Sequence, residues 1–132
     1  MENNKVRNKN FYDEYKYFDF MLAENLKSDE DEGVNTYISK MEHCVVEAWD
    51  YITEWESTLN RLKKIRERFI SLKNAELSFD DFQGKDEDIA WMRIFLTKLE
   101  SKSDPLSKYA NLNIVYKTRK KSIIQRIMEL FQ

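Results

Sequence analysis

His43 and Cys44 are the only histidine and the only cysteine in the chain, and Glu47 follows His43 by four residues. On a helix that spacing puts His43 and Glu47 on one face, two potential ligands of a divalent site that would need further ligands from elsewhere. The same helix turns Cys44 about 100° away from His43, so the two cannot work as a thiolate and its base. A Ser-His-Asp arrangement would have to use this same histidine, which the apolar spacing around it places on the outermost face of its helix. The expected arrangement is a solvated histidine beside a half-buried cysteine, with no metal and no cofactor.

Carboxylates are abundant, 24 in all, but none stands in an apolar context that would mark it as a general acid or base. A calcium loop of the EF-hand type needs Gly at its sixth position and Glu at its twelfth. Aligning Gly33 there puts Ser28 first and Ser39 twelfth, and aligning Gly84 puts Phe79 first. Both frames fail, and these two glycines are the only ones, so a glycine-rich phosphate loop is excluded as well. Enzymatic chemistry is not expected.

Basic side chains cluster twice. Arg61, Lys63, Lys64, Arg66, Arg68 and Lys73 form one group, and Lys117, Arg119, Lys120 and Lys121, flanked by Lys108 and Arg126, form the other. Such groups suit a phosphate backbone, and Tyr109 and Tyr116 could stack on unpaired bases. Against nucleic acid stand a net charge of −2 and the lack of helix-turn-helix spacing. A nucleic-acid-binding accessory protein using residues 61–73 and 117–121 is therefore the alternative reading.

The leading expectation is a protein-binding module: an adaptor, regulator, inhibitor or assembly chaperone. Tyr12, Tyr17 and Phe20 fall off the apolar stripe of the first helical segment, and Trp49 lies beside the stripe of the second. Large rings that a core stripe cannot hide mark partner surfaces. The predicted site joins these rings to Glu42, Glu47, Asp50, Glu54 and Glu56, an acidic stretch without a basic residue.

The elements that must carry these groups are helical. Two glycines and one proline in 132 residues leave too few turn formers for a β-sandwich or barrel, while 42% apolar content is too high for a disordered chain. The pattern predicts an all-α four-helix bundle with helices near 10–27, 35–73, 86–100 and 104–131, after a flexible stretch over 1–9. Asn10 is a candidate cap of the first helix, and Gly33 a turn former that exploits its free φ. Asp104-Pro105 is a cap and first-position pair for the last helix, expected to run through the polar residues 117–122.

The second helix carries the strongest pattern. Ile38, Met41, Val45, Ala48, Ile52, Trp55, Leu59 and Leu62 alternate steps of three and four, a coiled-coil seam on a continuous helix roughly 55–60 Å long. Charge reverses along it. Residues 1–60 hold 6 basic and 14 acidic side chains, and residues 61–132 hold 16 and 10. Two copies would therefore associate antiparallel, acidic half against basic half. A lone cysteine, no apolar signal segment and no apolar run long enough for a bilayer point to the cytoplasm without membrane association. Abundant Lys, Asn, Ile and Tyr beside scarce Ala, Gly and Pro suggest an AT-rich genome, hence a bacterial or virus-infected cell.

Overall fold

A computed structural model describes residues 4–44, 51–75 and 85–112. Four helices are bounded within them: α1 (Asn4–Leu26), α2 (Gly33–Glu42), α3 (Trp55–Asn74) and α4 (Asp86–Glu100). Residues 105–112 are also helical, and no strand occurs among the described residues. The all-α bundle read from the sequence is the observed fold class.

The apolar stripes meet in one core. Phe11, Phe18 and Leu22 of α1, Ile38 and Met41 of α2, Leu62, Ile65 and Leu72 of α3, and Met92 of α4 are at most 1% exposed. Rings lock the layers together: Tyr15 stacks on Phe69 at 4.0 Å, and Phe95 takes Phe18 and Tyr37 edge-on at 5.5 and 5.2 Å. Arg7 pairs with Asp86 and Glu14 with Arg93, both across 79 residues, so α1 and α4 run parallel.

That contact corrects the start of α1. The helix begins at Asn4, not near residue 10, and Asn8 is fully buried in it. Packing against α4 orders the polar stretch that sequence polarity assigned to a flexible end, and Asn10 lies inside the helix instead of capping it.

The continuous 35–73 helix is not formed. α2 stops at Glu42, residues 43–44 and 52–54 are not helical, and α3 starts at Trp55. His43 N–H and Nδ1 both meet the Ser39 carbonyl, at 3.0 and 2.6 Å, and Cys44 Sγ reaches the Lys40 carbonyl at 3.1 Å. These contacts satisfy carbonyls that a helix end leaves without intrahelical partners. α3 then returns beside α2 in the opposite sense, with Arg66 bonded to Asn35 and Lys63 to Glu42. Steps of three and four describe one long helix or two shorter ones equally well when both turn their apolar faces to the same core. The expected antiparallel dimer loses its continuous helix, and Lys63 of the basic stretch pairs with Glu42 of the acidic one within the chain.

Between α1 and α2 the chain turns through left-handed residues at Lys27 (φ 55°) and Asp31 (φ 67°), while Gly33 has no positive φ. Glycine is required at position 33 for another reason. A Cβ there would fall on the Asp19 carbonyl oxygen and lie 2.6 Å from Ala23 N, so the absent side chain lets α2 seat on α1. Asp19 Oδ1 then accepts Val34 N–H at 2.8 Å, tying the start of α2 to α1.

Candidate functional site

Arg61, Lys64 and Arg68 recur at steps of three and four, which aligns them on one face of α3. That face meets the first turn of α4. Asp88 is fully buried there: its Oδ1 accepts Arg61 Nε at 2.9 Å and its Oδ2 accepts Arg68 Nη1. Arg61 also lies over the Trp91 ring, 6.0 Å from its centroid. Around this clamp a groove of about 450 Å³ is lined by Ser57, Asn60, Lys64, Lys85 and Glu87. Lys64 and Lys85 are exposed, and neither has an acidic partner among the described residues.

Sequence reasoning singled out Arg61, Lys64 and Arg68 but missed Lys85, Trp91 and Asp88. Asp88 reads as one of three solvated acids opening a helix, and only the approach of α3 distinguishes it from Asp86 and Glu87. Lys63 belongs to the same basic group by sequence yet turns away to Glu42, at 3.3 Å. Lys117, Arg119, Lys120 and Lys121 lie outside the described residues.

The second surface is the outward face of α1. Tyr17 is 54% exposed and Phe20 is 47% exposed, three residues apart and opposite the buried Phe11 and Phe18. Asp13 and Glu24 share that face and are exposed. Tyr12 does not belong with them: its ring stacks on Phe69 at 5.0 Å, partly buried against the core, because α3 covers the flank of α1 on which it lies. The acids proposed alongside are dispersed. Glu42 is bonded to Lys63, Glu54 to Lys108, and Glu56 is exposed in the first turn of α3. Trp49, Glu47 and Asp50 lie outside the described residues.

Burial raises the Glu54 carboxyl, but the Lys108 ammonium bonded to it, together with hydrogen bonds from its own backbone N–H and the Thr53 hydroxyl, leaves it below its ordinary value. Cys44, partly buried, has its thiol pushed up by burial, which disfavours the reactive thiolate. No set of three or more His, Cys, Asp or Glu side chains that could hold a metal occurs among the described residues. None of their helices is long and apolar enough to cross a membrane.

A family model described as a family of unknown function (DUF6548) matches residues 9–129. The chain belongs to this family. The DUF6548 match takes in the whole groove from Ser57 to Trp91 and the aromatic pair on α1. No curated protein and no solved structure matches the chain.

Proposed function

We propose that this DUF6548 protein is a non-enzymatic interaction module that binds a protein partner through the outward face of α1. The observation that carries the reading is the exposure of Tyr17 and Phe20, side by side on a helix whose opposite face is already committed to the core. Two large rings held on a rigid helix keep apolar surface in water, a disposition that favours burial in a partner. Glu24 lies beside them, and Asp13 on the same face is paired with Lys9 at 3.0 Å, so the complementary surface is an apolar groove.

The nucleic-acid alternative has less support. Arg61 and Arg68 converge on Asp88, and Lys63 on Glu42, so these cations do not form a track along a polymer backbone.

The test is affinity capture from host extract with the wild-type chain and with Tyr17→Ser/Phe20→Ser. The double variant should keep its helicity, with stability within about 0.5 kcal/mol, and lose the captured protein. Capture that survives both substitutions, or that disappears only when Lys64 and Lys85 are neutralised, would overturn this assignment.

A further inference from the structure

The groove between α3 and α4 is independent of the α1 surface and has the chemistry of an anion site. Its volume of about 450 Å³ lies in the range of small-molecule sites. Four cations, Arg61, Lys64, Arg68 and Lys85, face two carboxylates, Glu87 and Asp88, which leaves a formal surplus of two positive charges.

Asp88 is not the counter-charge that closes the site. Its carboxylate is buried between two guanidinium groups and holds them in place: Arg61 through Nε and Nη2, both at 2.9 Å from Oδ1, and Arg68 through Nη1 on Oδ2. A guanidinium carries five N–H donors, so both arginines keep donors beyond those engaged by Asp88. Trp91 restrains Arg61 further, and Lys64, Lys85 and the Asn60 amide line the rest of the groove. Oriented guanidinium forks with two ammonium groups nearby suit a tetrahedral oxyanion.

We propose that this groove binds a small phosphate monoester, its phosphoryl dianion held by Arg61, Arg68, Lys64 and Lys85. The surplus charge matches a dianion. The volume leaves room for an esterified organic group, and convergence of the cations on one concavity favours a compact ligand over a nucleic-acid strand. Such a strand would also need Lys63 and Arg66, which bond to Glu42 and Asn35.

The experiment is a nitrogen-15 NMR titration of the full chain with inorganic phosphate and with glycerol 3-phosphate, each against chloride at equal ionic strength. Saturable shifts of the Trp91 indole and the Arg61 and Arg68 side-chain N–H resonances are expected, with the ester binding at least as tightly as free phosphate. Lys64→Gln/Lys85→Gln should weaken binding at least about tenfold, since it removes two charge-assisted contacts. Asn60→Asp, which places a carboxylate at the groove, should weaken it in the same direction in an otherwise unchanged chain.

Three results overturn the proposal: shifts that follow ionic strength alike for chloride and phosphate, affinity unchanged in both variants, or free phosphate bound much more tightly than the ester. Binding of a single-stranded oligonucleotide tenfold tighter than the monoester would also overturn it, in favour of a polymer site.

Discussion

The Tyr37 hydroxyl donates a 2.5 Å hydrogen bond to the carboxylate of Asp104, joining two buried side chains 67 residues apart. The same phenol oxygen accepts Leu106 N–H at 3.1 Å, and Asp104 Oδ2 accepts Ser107 N–H at 3.4 Å. Asp104 thus caps the helical residues 105–112, as its position before Pro105 predicts, and also fastens that helical start to α2.

Removing the hydroxyl alone tests this tie. Tyr37→Phe leaves the Leu106 N–H without its acceptor and the buried Asp104 carboxylate with one donor fewer. A loss of about 1–3 kcal/mol is expected, read from urea unfolding followed by circular dichroism.

The phenols of Tyr37 and Tyr15 should make the fold sensitive to alkali. Burial is the main cause that raises both above the ordinary 10.0, reinforced by Asp104 at Tyr37 and by Asp19 at Tyr15. The folded chain keeps these protons while the unfolded chain releases them, so stability is fully present below the ordinary phenol value and falls as pH rises past it. Phenolate absorbance should show two tyrosines that ionise only as helicity is lost. Native-state titration of all the tyrosines together near the ordinary value would contradict this.

Gly33→Ala is expected to be severe for a surface-sounding change. The new methyl group meets backbone atoms of Asp19 and Ala23, which cannot rotate away, so α2 must lift from α1. Overpacking of this kind costs about 3 kcal/mol, and the melting temperature should drop accordingly. A normal φ at Gly33 means that backbone strain contributes nothing to the effect.

Asp88→Ala leaves Arg61 and Arg68 facing one another without their shared carboxylate. Breaking a fully buried ion pair costs about 3–5 kcal/mol, but these arginine side chains are 33% and 27% exposed and partly solvated. About 2 kcal/mol is the expected loss, measured by chemical unfolding. Removing one of the two facing cations as well, with Asp88→Ala/Arg68→Met, should recover part of it.

The Glu54 carboxylate offers a titration with a defined partner. Its pKa is held below the ordinary value despite burial, so its contribution is present above that value and is lost as pH falls through the lowered one. Lys108→Ala should move the carboxyl upward in a carbon-13 NMR titration, with less than about 1 kcal/mol lost at neutral pH because the pair is partly solvated.

How much of this was legible beforehand depends on whether the signal was local. The first-turn acids of α4 and the Asp104-Pro105 start could be read directly, because caps and helix ends are decided by neighbouring residues. Tyr17 and Phe20 were also legible as off-stripe rings, since α1 is regular enough for spacing to predict facing. Tyr12, equally off the stripe, was misplaced because its cover comes from Phe69, 57 positions further along the chain.

The sequence by itself determined that the protein is helical, that the apolar stripes of its helices supply most of the core, and that acidic and basic charge divide near residue 60. Tertiary structure decided where the 35–73 pattern breaks, because a periodic apolar face is satisfied equally by a partner chain or by folding back on itself. It also decided that Asp88, one acid among three at a helix start, is buried between two arginines. No local property separates Asp88 from its neighbours until Arg61 and Arg68 reach it from α3 and it is out of water.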